Sequence, residues 1–192
     1  MIPKYDDFKA AKTGNSREVL PAGGYVGEIK KAEVLKYSWG SKLVIAYDIT
    51  EGEYAGFFMK DWQNNQNDDK KWRGNLSMTL PMEDGSEQDV WKKRAIGNLA
   101  ASLEESNPGY HWDWDETKLK CKKLGFLVRE REWEMNGRTG WTTEACSCTD
   151  IESIRSGHFR IPKARPLAHA AAVSTAPASD YAAAASDDDL PF

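Results

Sequence analysis

Aromatic and basic side chains lie close together at several places in this 192-residue chain. Tyr37 and Trp39 follow Lys36, and Arg131 and Trp133 alternate along a later segment. A flat ring can stack on an unpaired nucleobase, at about 1–3 kcal/mol per base, while a neighbouring Lys or Arg contacts a phosphate. These pairings predict a surface for a single nucleic-acid strand. Its candidate residues are Lys36, Tyr37, Trp39, Lys60, Trp62, Lys71, Trp72, Arg73, Arg129, Arg131, Trp133, Arg138 and Trp141.

The last six residues carry a second kind of chemistry. Three adjacent carboxylates precede a Leu-Pro-Phe end, which is a compact apolar anchor with a fixed negative charge. An apolar pocket beside Lys or Arg residues of another protein can capture such an end. The alternative is an acidic tail that only aids solubility. The predicted partner-binding tip consists of Asp187, Asp188, Asp189, Leu190, Pro191 and Phe192.

Two other clusters could hold a metal. The acidic segment 113–116 could contribute to a magnesium site of a nuclease, but such a site needs further ligands that the sequence does not identify. Cys121, Cys146, Cys148 and His158 have the residue types of a zinc site. A single residue separates Cys146 from Cys148, which is shorter than the usual zinc spacing. We therefore expect no metal, no cofactor and no catalytic residue.

The chain divides by composition after Lys163. Residues 1–163 carry a net charge of about -1, whereas the segment from Ala164 onward is mostly Ala, Ser, Pro and Asp and carries -3 of the total of -4. Too little bulky apolar surface lies in this segment to offset the entropy of ordering it. We predict a folded domain over 1–163, a disordered linker over 164–186 and the tip over 187–192.

Alternating apolar residues predict strands in the first part of the domain. Residues 25–37 are rich in strand-forming types, and 43–50 place apolar side chains at every second position. The Glu51-Gly52 pair predicts a turn into a third strand over 53–62. These segments together predict an antiparallel meander, followed by a polar loop over 63–75.

The second part of the domain combines a helix with a hairpin. Apolar residues recur at helical spacing over 87–105, with Trp91 in the packed stripe. Asn136-Gly137 is a strong hairpin turn between strands over 124–135 and from Trp141 onward. Five strands and one main helix predict a mainly β protein built as a curled antiparallel barrel. The aromatic residues assigned to its core are Tyr25, Tyr47, Phe57 and Phe58.

The sequence gives no sign of membrane insertion or secretion. No run approaches the roughly 18 apolar residues of a membrane span, and the first residues lack a signal-peptide pattern. An odd, small number of cysteines predicts reduced thiols. We expect a cytoplasmic protein without a membrane partner.

The ending SDDDLPF resembles the acidic tip of bacterial and phage single-stranded-DNA-binding proteins. The domain is similar to the phage or prophage-encoded members in three segments, namely Gly23-Gly24-Tyr25, residues 51–56 and residues 154–159. Leu190 stands where bacterial tips usually have Ile, a volume-conserving change. The resemblance implies an OB-fold, a five-stranded Greek-key barrel. It also implies sequence-independent coating of single-stranded DNA in phage replication, recombination or repair, in the host cytoplasm, with replication and recombination proteins recruited by the tip.

Two alternatives remain at this point. An adaptor could carry the tip only to engage host replication proteins, without binding DNA, and a metal-dependent nuclease could use Asp113 or Asp115. A homodimer is compatible with exposed sheet edges. The preference for DNA or RNA leaves no signature in the sequence.

Overall fold

The computed structural model describes residues 18–65 and 70–167. Two long hairpins, one short strand and three helices make up this part of the chain, with a 3-10 turn at Glu116–Leu119. The strands are β1 (Gly23–Tyr37), β2 (Gly40–Ile49), β3 (Asn75–Thr79), β4 (Lys123–Met135) and β5 (Arg138–Thr149), and the helices are α1 (Phe57–Asn64), α2 (Glu87–Ser106) and α3 (Ile151–Ser156).

The five strands close into a barrel in the order β1-β2-β3-β5-β4 and back to β1. Adjacent strands are antiparallel except β3 and β5, which pair in parallel where Leu76 faces Ala145. The main helix, α2, lies between β3 and β4 in the chain. This arrangement is the OB-fold, a five-stranded Greek-key barrel. The predicted fold is confirmed.

The core follows from the period-two pattern of β2, because alternate side chains of a strand point to the same face. Leu43, Ile45, Tyr47 and Ile49 are buried within the barrel. The Tyr47 ring stacks on Phe126 of β4, with 3.6 Å between ring centroids. Of the aromatic residues predicted for the core, Tyr47, Phe57 and Phe58 are buried and Tyr25 packs half-buried at its edge.

The predicted third strand over 53–62 is wrong, because this segment forms a turn and helix α1. Gly52 and Gly56 adopt positive φ angles of 81° and 72°, which reverse the chain after β2. The buried Asp48 carboxylate then accepts a hydrogen bond from the Phe58 amide at 3.0 Å, in the first turn of α1. The third strand of the barrel is β3 instead, directly after the polar loop.

Helix α2 agrees with the predicted boundaries, but the placement of Trp91 in its packed stripe is wrong. Trp91 is 37% exposed and Arg94 lies over its ring, 4.7 Å from the centroid. The buried position of the first turn belongs to Asp89, whose carboxylate accepts hydrogen bonds from the Met82 and Glu83 amides. The first turn of α2 therefore binds the preceding loop rather than the barrel core.

Helix α3 was not predicted, and it joins the three segments that carry the family resemblance. Ile154 and Phe159 pack so closely on Gly24 of β1 that a Cβ atom there would lie 2.7 Å from each side chain. Arg155 forms a bidentate ion pair with Glu51, at 2.7 and 3.0 Å, and lowers the pKa of that carboxyl. The three segments thus have a structural role, because their contacts hold α3 against β1 and against the turn after β2.

The described chain extends past the predicted domain boundary. Arg165 pairs in parallel with the edge of β4, where its amide donates to the Glu130 carbonyl at 2.8 Å and its carbonyl accepts from the Glu132 amide at 2.9 Å. We call residues 164–167 the return segment. The remainder of the predicted linker and the tip over 187–192 lie outside the described residues. Among the described residues, no helix is both long enough and apolar enough to cross a membrane.

Candidate nucleic-acid interface

Two hairpins extend the barrel at the loops that OB-folds use to bind oligonucleotides, the β1–β2 and β4–β5 connections. Pairing between β4 and β1 ends where Val128 faces Gly23, so the residues of β4 and β5 from 129 to 144 form a two-stranded ribbon. Asn136 and Gly137 have φ angles of 53° and 71° at its turn. Positive φ at both central residues is what a type I′ hairpin turn requires. We refer to residues 129–144 as the β4–β5 ribbon.

The β1–β2 hairpin presents a stacked aromatic pair. The rings of Tyr37 and Trp39 are 4.9 Å apart and inclined by only 8°, and they are 46% and 51% exposed. The Lys42 ammonium lies 5.1 Å from the Trp39 ring centroid. Tyr37 and Lys42 are on the outer face of the hairpin, whereas Lys36 has the opposite parity and points to the other face. Exposed rings beside a cation are suited to stack a base and bind its phosphate.

The β4–β5 ribbon separates its side chains by face. Arg129 pairs with Glu144, Trp133 with Gly140, and Met135 with Arg138, so Arg129, Arg131, Trp133 and Arg138 share one face. The Trp133 ring covers Gly140, where an added Cβ would lie 2.8 Å from the indole. Four of the five DNA-binding candidates on the ribbon therefore lie on the same face.

Trp141, the fifth, is on the opposite face of the ribbon. Trp141 pairs with Glu132 across the ribbon, and Glu130 and Glu134 lie on the same face as these two residues. Trp141 is 50% exposed, so its ring is accessible, but not from the side of the arginines. Counting pairs outward from the Asn-Gly turn gives this register from the sequence alone.

We call the face of the ribbon that carries Arg129, Arg131, Trp133 and Arg138 the arginine face. Sequence reasoning missed two further residues on it. Glu144 accepts hydrogen bonds from Arg129 and Arg131, each at 3.1 Å, and the Arg165 guanidinium is 4.0 Å away. The register of the hairpin predicts that Glu144 lies opposite Arg129, so its position was available from the sequence. The placement of Arg165 was not, because it depends on a long-range pairing between the return segment and β4.

The predicted residues around α1 divide into exposed and structural ones. Trp62 is 39% exposed with the Lys70 ammonium 4.9 Å from its ring centroid, and Lys71 is also exposed. The Lys60 ammonium donates to the Ala55 carbonyl at 3.1 Å. Trp62 and Lys70 thus form a third aromatic and basic pair.

Trp72 and Arg73 contribute to the fold instead of presenting a free surface. The Trp72 indole donates to the carbonyls of Tyr47 and Gly74, both at 3.1 Å, while its ring packs on the core. The Arg73 guanidinium pairs with Asp61 at 3.2 Å. These contacts hold the loop before β3 against the barrel.

The outer face of β2 and β3 connects the two hairpins in the fold. Cross-strand pairs on this face join Val44 to Ser77 and Ala46 to Asn75. Their side chains are short and uncharged, so an extended strand can approach the backbone of the sheet closely. The same face of an OB-fold binds oligonucleotides and oligosaccharides.

Two of the cysteines and two of the aspartates considered as metal ligands in the sequence are accounted for by burial or by ion pairs. Burial raises the pKa of the Cys148 thiol to about 12 and also raises the pKa of Cys146, so both thiols are protonated at neutral pH. Lys118 forms ion pairs with Asp113 and Asp115. Within residues 18–65 and 70–167, no three His, Cys, Asp or Glu side chains are grouped so that they could hold a metal ion.

No protein-family model matches the chain, and no curated protein matches it either. Among solved structures, it is similar to a chain of "Yeast RPA bound to ssDNA", with 13% identity, a TM-score of 0.28 and coverage of 74% of this chain and 83% of that chain.

Proposed function

We propose that this protein binds and coats single-stranded DNA without sequence specificity. The observation that carries the proposal is the exposed, stacked pair of Tyr37 and Trp39, with Lys42 beside it, at the β1–β2 loop of an OB-fold. The β4–β5 ribbon adds arginines and Trp133 at the second loop that such folds use. Stacking and phosphate contacts at both loops supply the two interactions that hold an unpaired strand.

The chemistry of these groups explains why the binding is independent of sequence. Every base has a face on which an aromatic ring can stack, and contacts to phosphates carry no base information. Val44 and Ala46 on the outer face of β2 have no hydrogen-bonding group with which to read a base edge. Coating of the strand is passive and requires no catalytic residue.

We extend the proposal to phage replication and recombination in the bacterial cytoplasm, with partner proteins recruited by the tip. The support for this extension is the sequence of residues 187–192, which combines acidic residues with a terminal Leu-Pro-Phe. Carboxylates favour encounter with a basic pocket, and burial of the Phe192 ring supplies apolar contact.

Substitutions at the two hairpins test the DNA-binding proposal. In the full-length protein, Trp39→Ala removes a stacking platform and should weaken binding of a fluorescent oligothymidine by about 1–3 kcal/mol. Arg131→Gln removes one phosphate contact, so the slope of log K against log[salt] should become shallower by about 0.7. Fluorescence anisotropy at several salt concentrations measures both effects.

Trp114→Ala is the matched control for Trp39→Ala. Trp114 is 66% exposed in the segment before β4 and lies on neither hairpin. The control should bind as tightly as the unchanged protein. Equal losses in Trp39→Ala and Trp114→Ala would contradict the assignment of the site. Absence of oligonucleotide binding by the full chain, with the tip still capturing protein partners, would favour the adaptor alternative.

A further inference from the structure

Glu144 lies at the centre of the arginine face of the β4–β5 ribbon. Its Oε1 atom accepts from Nε and Nη2 of Arg129, both at 3.1 Å, and its Oε2 atom accepts from Nη1 of Arg131 at 3.1 Å. Nη1 of Arg165 is 4.0 Å from Oε1. Guanidinium groups that converge on one oxyanion in this way form the typical arrangement for binding a phosphate.

We infer that Arg129, Arg131 and Arg165 form a phosphodiester-binding site and that Glu144 is an internal anion that weakens it. The inference rests on the proposed binding of single-stranded DNA. Three guanidinium charges face one carboxylate, so the cluster keeps an excess positive charge that attracts a phosphate. The Glu144 charge repels the same phosphate and occupies a donor of Arg131.

The exposure of these side chains indicates where a phosphate makes contact. Arg129 and Glu144 are largely buried, with 12% and 23% of their side-chain surfaces exposed. Arg131 and Arg165 are 49% and 48% exposed. An incoming phosphate therefore meets Arg131 and Arg165 first, while Arg129 holds Glu144 in place behind them.

The backbone of Arg165 is held in place without its ion pair with Glu144. Its backbone is fixed by two hydrogen bonds to β4, and the Leu167 amide donates to the Glu132 carboxylate at 3.0 Å. A groove of about 410 Å³ lies where the return segment meets the ribbon, and Arg131, Trp133 and Arg165 line it together with the carboxylates of Glu132 and Glu134. A phosphate between the two arginines would place the adjoining nucleotide beside the Trp133 ring.

Glu144→Gln tests this inference, because it removes the charge but keeps a hydrogen-bond acceptor for Arg129. We expect the full-length variant to bind oligothymidine about tenfold more tightly at low salt, with a slope of log K against log[salt] that is steeper by about 0.7. Anisotropy titrations at several salt concentrations give both values.

Glu130→Gln is the matched control. Glu130→Gln removes one negative charge, as Glu144→Gln does. Glu130 is on β4, however, and its side chain is on the face of the ribbon opposite Glu144. We expect its affinity to stay within about twofold of the unchanged protein and its salt slope to be unaltered, since it adds no phosphate contact. The comparison separates release of the arginines from the general effect of one less negative charge.

Two results would overturn the inference in distinguishable ways. If the unchanged protein binds the oligonucleotide but Glu144→Gln binds no more tightly than Glu130→Gln, Glu144 has a structural role only, and the proposed function stands. If the unchanged protein does not bind, the proposed function and this inference both fail.

A measurement on the unchanged protein covers the case in which Glu144→Gln does not fold. The Arg129 Nε–H group donates to Glu144, so its NMR signal reports on that carboxylate. We expect this signal to shift when oligothymidine is added, as a phosphate joins the cluster. A signal that stays unchanged at saturating oligonucleotide would overturn the inference.

Discussion

Single residues decide several features of this structure, and Asp48 is the clearest case. Its side chain is buried at the end of β2, and its Oδ1 atom accepts hydrogen bonds from the amides of Ile49 and Phe58, both at 3.0 Å. The first amides of a helix have no partner within the helix. Gly56, which precedes α1, has no side chain to supply one. Asp48 therefore caps α1 from another element.

Asp48→Ala should lower the free energy of unfolding by about 1–3 kcal/mol, because it leaves buried amides without an acceptor. Asp48→Asn keeps an oxygen acceptor and should lose less. Chemical denaturation followed by circular dichroism measures both variants. Equal losses in the two would contradict the role of the Asp48 oxygen and indicate that its charge decides stability.

The same residue shows what could not be predicted from the sequence. Residues 53–62 contain Phe57 and Phe58 in succession, and local preference is compatible with a strand. Capping by Asp48 and the turns at Gly52 and Gly56 favour a helix instead, and the capping contact spans ten residues of sequence. By contrast, the arginine face of the ribbon follows from parity and from the Asn-Gly turn. Local signals were sufficient there, because the ribbon pairs residues that are close in sequence.

At the scale of elements, close packing of α3 on the barrel depends on residues without side chains. Gly24 on β1 and Gly125 on β4 lie beneath Ile154. A Cβ atom at Gly125 would lie 2.8 Å from the Thr149 carbonyl and 2.9 Å from the Asp150 carbonyl, which are backbone atoms that cannot rotate away. The segment that joins β5 to α3 can approach β4 only because this position is glycine.

Gly125→Ala should destabilise the protein by about 1–3 kcal/mol, because the added methyl group has to displace this segment. Gly97→Ala is the control, since Gly97 is exposed in α2 and, apart from the adjoining helix backbone, no atom lies within 4 Å of an added Cβ. It should stabilise the protein by about 0.4–1 kcal/mol. Thermal unfolding of the two variants measures the contrast. An unchanged melting temperature in Gly125→Ala would contradict the packing described here.

At the scale of the whole molecule, the distribution of charge matters more than its sum. The chain has a net charge of -4, which by itself disfavours a polyanionic partner. Residues 1–163 carry only about -1, and Arg129, Arg131 and Arg138 share one face of the ribbon with Trp133. The return segment adds Arg165 to that face, although composition alone assigns this arginine to the tail.

Removing the tip separates the two proposed activities of the molecule. Deletion of residues 187–192 should abolish capture of replication and recombination proteins and leave binding of single-stranded DNA intact or stronger, because six residues with three carboxylates are lost. Pull-down of a partner and an oligonucleotide titration on the same variant give both readouts. Weaker DNA binding after the deletion would mean that the tip belongs to the DNA site.

In the proposed function, the full-length protein holds an unpaired DNA strand on the aromatic and basic surface of its two hairpins. A titration with oligothymidine, followed by tryptophan emission at low and high salt and repeated with duplex DNA, tests it most directly. We predict quenching by the single strand, weaker binding at high salt and weaker binding of the duplex, since stacking requires unpaired bases. Unchanged emission together with no shift in gel mobility at low salt would contradict the claim.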